Sequence, residues 1–269
     1  MFHVETIQED ESDCSSGRRQ LNDAPLTAEI LLAGIAIAFL AAACYAVTGF
    51  GFALVMTPLL AVAWEVKSAV VTSVVLSTVA LLPLLVEVRA HVPVARASVL
   101  VLGSFAGIPL GVVILQRLDS DALQALVAGT VIVAALLLYF RPTAAGGADS
   151  GSRQLATGFV SGVVGGSTSM GGPPIVLYLI GREREVTAFR ATLLAFFLPG
   201  SVLQIALLGG VGRITGDVLL LVGAALPAVV LGLLAGAWLR RHVRPERFHA
   251  VVVAVLVVTS IGVLASALF

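Results

Sequence analysis

Apolar runs of membrane-spanning length recur along the chain, cut by short polar or glycine-rich stretches. A helix needs about 20 apolar residues to cross a bilayer core, and by that ruler the pattern predicts eight spans. The first covers 26–63, interrupted at "TGFGF"; the next three cover 68–86, 97–116 and 122–140. The fifth covers 154–180, interrupted at "GGSTSMGGPP", and the last three cover 187–208, 215–239 and 247–268. Most are apolar on every side, as suits helices surrounded by lipid and by one another. Barrel strands would alternate polar and apolar positions, and these runs do not. The predicted fold class is therefore an all-α membrane protein of about eight transmembrane helices, with broken helices at the two glycine/proline motifs.

Composition changes this picture little but excludes a good deal. Hydrophobic residues make up 58% of the chain and charged residues 12%, against about 25% charge in a soluble domain. Such a chain cannot cover itself with polar surface, so the lipid bilayer is its expected partner and a multi-pass place in the cell membrane its expected location. A net charge of zero offers no basic footprint for nucleic acid. Cys14 and Cys44 form no CxxC pair, and His3, His91, His242 and His249 show no metal-ligand spacing. No cofactor or metal is expected. Neither an acid cluster nor a Ser/His pair with plausible spacing points to an enzyme. Residues 1–25 hold six acids and no basic stretch before a short apolar core, so they read as a disordered acidic tail rather than a secretory signal.

The polar stretch "RPTAAGGADSGSR" at 141–153 divides the spans into 26–140 and 154–269. Landmarks in the two parts correspond in order: Pro58 with Pro174, Pro83 with Pro199, Gly103 with Gly223, Leu123 with Phe248. The expectation is two repeated halves of four spans, a common ground plan for transporters. Four straight crossings per half make the halves parallel; a broken segment that turns back changes that parity. Gly103, Gly107 and Gly111 fall every fourth residue, as do Gly158, Gly162 and Gly166, and Gly232 with Gly236. Such faces let helix backbones approach closely.

With every span crossing, one side carries Lys67, Arg117, Arg182, Arg184, Arg190 and the run from Arg240 to Arg247, and the other carries Arg89, Arg96, Arg141, Arg153 and Arg213. The first side is the richer in cations and is expected in the cytoplasm. Eight crossings put the acidic tail outside; nine would bring it in.

The two interruptions are the candidate site. Residues 154–164 read as one half-helix, 174–180 as another, with a nine-residue irregular loop between them. Irregular backbone at membrane depth is tolerated only inside protein or beside a watery cavity. Glycines let a ligand approach freed N–H groups, and a half-helix N-terminus favours an anion. Pro173 or Pro174 suits the first helical position. The candidate substrate-binding residues are Thr48, Gly49, Gly51 and Pro58 at the first break, with Gly165, Gly166, Ser167, Thr168, Ser169, Gly171, Gly172 and Pro173 at the second. Thr72, Ser73, Ser77 and Thr78 either line a pathway or bond back to helix carbonyls. Gln204 is an interhelical tie or a ligand contact. Arg190, in the first turn of its span, is expected to snorkel to the interface, with an anion gate as the alternative. No acid stands in mid-span to relay protons. The substrate implied is a small anion; a carrier and an anion channel would use the same half-helices.

"GFGFALVMTPLL" in the first half and "GVVGGSTSMGGPPIVLYL" in the second resemble the paired signatures of the sulfite exporter family of the TauE/SafE type, and "KSAVVTSVVLS" is similar to that family's second helix. The resemblance covers nearly all of 27–268. It implies a multi-pass inner-membrane carrier, most simply an exporter, for sulfite, sulfonates or related small organic or sulfur anions; the two broken segments in corresponding halves add the expectation of alternating access, with a proton or sodium as the candidate coupling ion. By position, Gly49, Gly51 and Pro58 match the first signature, and Gly165, Gly166, Gly171, Gly172 and Pro173 the second. Phe50, Phe52 and Ala53 stand where small residues are common in the first signature, a departure that weakens that half's claim on the site.

Overall fold

The computed structural model describes residues 26–140, 150–180, 182–183 and 185–242. The acidic tail and the span expected at 247–268 lie outside them. Among the described residues the chain is all helix: α1 (Ala28–Thr48), α2 (Phe52–Ala63), α3 (Val66–Val88), a 3-10 turn (Arg89–His91), α4 (Val94–Arg117), α5 (Ser120–Phe140), α6 (Gly151–Thr168), α7 (Gly172–Ile180), α8 (Val186–Gly210) and α9 (Gly216–His242). Helix α6 begins three residues inside the stretch read as linker. Among the described residues, five elements are long and apolar enough to cross a membrane: α1, α3 with its 3-10 turn, α4, α8 and α9. Thr27 caps α1, its hydroxyl accepting from the Ile30 amide. Pro83, Pro109, Pro199 and Pro227 lie inside helices, where packed neighbours make a lost hydrogen bond tolerable.

The exterior is as apolar as the interior, unlike that of a soluble domain. Met56, Leu60, Leu100 and Leu193 fill the interior, while Leu32, Leu102, Leu220 and Leu234 are exposed and just as apolar. Lipid is the solvent that suits such an exterior.

Two glycine stripes hold the bundle together. A Cβ on Gly103, Gly107 or Gly111 of α4 would run into the carbonyls of Leu155, Phe159 or Val163 on α6; one on Gly158, Gly162 or Gly166 would run into those of Leu100, Ser104 or Ile108. The contacts advance four residues at a time on both helices, so α4 and α6 are parallel and touch backbone to backbone. Gly232 and Gly236 of α9 meet the carbonyls of Phe39 and Ala43 on α1 in the same way. Dispersion and weak backbone contacts thus replace the hydrophobic drive that lipid removes.

The direction of each helix follows from ion pairs at the ends. Glu87, at the end of α3, binds Arg240, at the end of α9, at 2.7 Å. Arg96, at the start of α4, pairs with Glu183, just before α8. Arg190, early in α8, lies within electrostatic reach of Glu87 and Arg240. The ends of α3 and α9 and the starts of α4 and α8 therefore share one end of the bundle, the Arg240 end. Since α6 is parallel to α4, it starts there; since α1 is parallel to α9, it finishes there. Helix α2 ends at Ala63, beside the start of α3, so it runs back toward the opposite, Trp64 end. Helix α7 likewise runs back from α6 toward Glu183.

Each break is thus a reversal, which corrects two expectations. The interrupted segments are helical hairpins rather than collinear half-helices filling one span. The assignment of sides that assumed straight crossings also fails, since it put Arg96 opposite Arg182 and Arg190. The reversal is direct at the second break: Gly171 lies against Ser161 and Gly165. Ten residues of straight helix would instead separate Ser161 from Gly171 by about 15 Å. Helix α2 is 12 residues and α7 is 9, about 18 and 14 Å, so neither short arm crosses a ~30 Å core by itself.

Candidate functional site

The second break is shorter than the sequence pattern predicts. Helix α6 continues through Thr168, leaving Ser169, Met170 and Gly171 between helices. Gly165, Gly166, Ser167 and Thr168 are helical for two reasons. Gly166 serves the stripe against α4, and the hydroxyls of Ser167 and Thr168 bond back to Val163 and Val164 at 2.9 and 2.8 Å. Ser169 then takes a left-handed conformation, φ 62°, and its amide donates to the Gly165 carbonyl at 2.7 Å. That geometry usually selects glycine. The serine is held by its hydroxyl, which donates to the Val70 carbonyl of α3 at 2.8 Å. The Ser161 hydroxyl donates to the Gly171 carbonyl and closes the turn. Helix α7 opens on Gly172, so Pro173 and Pro174 are its second and third residues, not the first.

The first break has a similar plan. Gly49, φ 77°, ends α1 with its amide on the Tyr45 carbonyl; Gly51, φ 103°, precedes α2. Both conformations suit glycine. The Thr48 hydroxyl lies 2.9 Å from the Cys44 carbonyl and against that of Phe50. Tyr45 and Phe52 meet edge to face across the reversal, ring centroids 6.0 Å apart. Pro58 lies inside α2, buried, and takes no part in the break.

Both breaks open on one cavity of about 80 Å³. Drug-sized ligands occupy pockets of about 300–1,000 Å³; this one suits a few heavy atoms. Five of the sequence-predicted site residues line it: Gly51, Gly165, Ser169, Gly171 and Gly172. Thr48, Gly49, Pro58, Gly166, Ser167, Thr168 and Pro173 do not; they shape the backbone behind it. Its walls also include Ser77 and Thr78 of α3, which bond back to the Val74 carbonyl. Gln204 of α8 lines it too, its amide donating to the Gly165 carbonyl at 3.0 Å and reaching that of Gly166 at 3.4 Å. It is both a tie and a lining residue. Sequence reasoning missed Ser104, Ser161 and Ser201, whose hydroxyls sit on faces that read as packing, and the aromatic wall of Tyr45, Phe196 and Phe197. Thr57, Thr72 and Ser73 are fully buried with unpartnered hydroxyls, outside the lining. Among the described residues no group of His, Cys, Asp or Glu could hold a metal ion.

The helix ends at the cavity differ in kind. At the C-terminal ends of α1 and α6, carbonyls are occupied by donors: Ala46 by Arg190 at 3.2 Å, Cys44 by Thr48, Gly165 by Ser169 and Gln204. At the N-terminal ends of α2 and α7, glycine stands where a capping side chain would be. Phe52, Ala53 and Leu54, ahead of the first intrahelical bond from Val55, line the cavity without a side-chain cap. At α7 the two prolines have no N–H, which leaves Gly171 and Gly172 as the amides nearest the cavity. Arg190 is 7% exposed and does not snorkel.

The family model for the sulfite exporter TauE/SafE family matches residues 34–263, a stretch that contains both breaks and every cavity residue. The chain belongs to that family. Its members are membrane transporters rather than enzymes, so this TauE/SafE chain is a multi-pass membrane transporter. Comparison with curated proteins finds no significant match, and neither does comparison with solved structures.

Proposed function

We propose that this TauE/SafE chain is a secondary carrier that exports a small anion, such as sulfite, a sulfonate or a related organic acid, by alternating access coupled to a proton or sodium gradient. One observation carries the reading. The short helices α2 and α7 begin at the cavity on glycine, which offers no capping side chain, while carbonyls at the ends of α1 and α6 accept from Arg190 and Gln204. The remaining local field is that of two positive dipole ends and free amides, which favours an anion and does so without an arginine or lysine in the lining. The family membership supports sulfur oxyanions as the first class to try.

The helix directions support an inverted arrangement of halves, 26–140 against the part after the linker. The α1–α2 hairpin would correspond to α6–α7, α3 to α8 and α4 to α9, and the α4–α6 and α9–α1 stripes would then be the same contact made twice. Sidedness follows from this reading. Of the ten Lys and Arg among the described residues, Arg89, Arg96, Arg153, Arg182, Arg190, Arg240 and Arg241 belong by chain position to the Arg240 end, and Lys67, Arg117 and Arg213 to the other. The Arg240 end is cytoplasmic by the positive-inside rule. Purified protein in proteoliposomes is expected to move sulfite with saturable kinetics and to respond to an imposed gradient. Folded protein that moves neither sulfite, sulfonates nor simple carboxylates would count against the carrier, and current that does not saturate would indicate a channel.

A further inference from the structure

Arg190 is a cation in the wrong place for a bystander. It stands in the first turns of α8, 7% exposed, and a charge buried in a membrane bundle is costly unless a partner or a function keeps it there. Among the described residues its guanidinium makes no ion pair. The nearest carboxylate acting on it, Glu87, is already engaged by Arg240. Its Nη2 donates to the Ala46 carbonyl at 3.2 Å, and its Nε is buried with no partner at all. An orphaned charged donor is among the more expensive groups to bury.

The place of that Nε is specific. A Cβ on Gly49 would lie 3.1 Å from it and 3.0 Å from the arginine Cγ. The Nε edge therefore packs directly on the Gly49 backbone at the first break, where any larger residue would crowd it. Tyr45, one turn back on α1, and Phe50, next in the chain, both line the central cavity. Arg190 thus lies between the Arg240 end of the bundle and that cavity, behind the 49–51 backbone.

We infer that Arg190 is a second anion subsite, which holds the substrate on its way between the Arg240 end and the central cavity. This rests on the anion-carrier reading and adds the charged station that the cavity itself lacks. The guanidinium suits a small oxyanion: its fork of N–H groups matches two oxygens at once, and the unpartnered Nε is the donor left for one of them. The bond to Ala46 makes Arg190 also a cap on the C-terminal end of α1, so any test must separate ligand binding from capping.

The increment that sulfite adds to thermal stability separates them, because a ligand stabilises the state that binds it. Full-length wild type, Arg190→Gln and Arg190→Lys would be purified and melted across a sulfite series, with sodium gluconate at matched ionic strength as control. In the wild type, sulfite raises the midpoint in a saturable way. In Arg190→Gln the half-saturating concentration rises roughly tenfold or more, and Arg190→Lys falls between, since a charge-assisted bond is lost or weakened. A pure cap would lower the midpoint of the variants without sulfite and leave the sulfite increment unchanged; that result overturns the subsite. If Arg190→Gln does not fold, Arg190→Lys decides, and wild-type affinity there also overturns it. A wild type that answers to no sulfite, sulfonate or carboxylate removes the anion reading and this inference with it.

Discussion

At the scale of single residues, neighbouring glycines in one signature have different duties. A Cβ on Gly171 would lie 2.7 Å from the Ser161 carbonyl oxygen, where backbone must shift; one on Gly172 would meet only Phe50 and Phe197 at 3.6 and 3.7 Å. Gly171→Ala is expected to destabilise the protein by about 1–3 kcal/mol through overpacking, read as a lower unfolding midpoint in detergent. Gly172→Ala is expected to leave that midpoint within a degree or two and to weaken sulfite binding, because its methyl enters the cavity. Equal midpoints for both variants would contradict the turn geometry. Ser169 shows how far a single position can be read from sequence. Its hydroxyl character marks it as polar at depth, but its left-handed backbone depends on the Val70 carbonyl of another helix, which no local pattern contains. Arg190 is a similar case: a cation one turn into a span ordinarily snorkels, and only the packing of α1 against α8 buries it.

At the scale of elements, the spans and the glycine faces were legible because lipid imposes length and close packing imposes the four-residue period. Gly103, Gly107 and Gly111 face Gly158, Gly162 and Gly166 as that period implies. The second break was legible as a break and not in extent. A run such as Gly165–Thr168 serves equally for a loop or for a tightly packed helix end, and the stripe against α4 settles it as helix. Direction was not legible at either break, because glycine and proline interrupt a helix without saying where the chain goes next. The stripes make a prediction of their own. Gly107→Leu, driven into the Phe159 carbonyl, is expected to separate α4 from α6 and to cost at least about 3 kcal/mol, read as loss of a folded, monodisperse species. Gly129→Ala in α5, where a Cβ meets nothing within 4 Å, is expected to be neutral or to stabilise by up to about 1 kcal/mol. If Gly107→Leu melts with the wild type, the two helices do not touch as described.

At the scale of the whole molecule, the two reversals decide which loops share a side. With Cys14 and Cys44 replaced, single cysteines at His91 and Glu183 are expected to react with an impermeant maleimide from one face of the membrane, and one at Gly212 from the other. Straight crossings at the breaks would put His91 and Glu183 on opposite faces. Residues 91 and 183 belong to different halves, so their agreement also tests the reading that the halves are inverted. The glycine stripes carry a mechanical consequence. Each joins a helix before the linker to one after it, α4 with α6 and α1 with α9, with main chain in close contact. Main chain so closely apposed has no rotamers to exchange and cannot slide by less than a full four-residue step. The two pairs are expected to move as rigid rails. On the proposed alternating-access mechanism, opening and closing of the cavity falls to α3, α8 and the two short arms, and a covalent staple across either rail is expected to leave turnover intact.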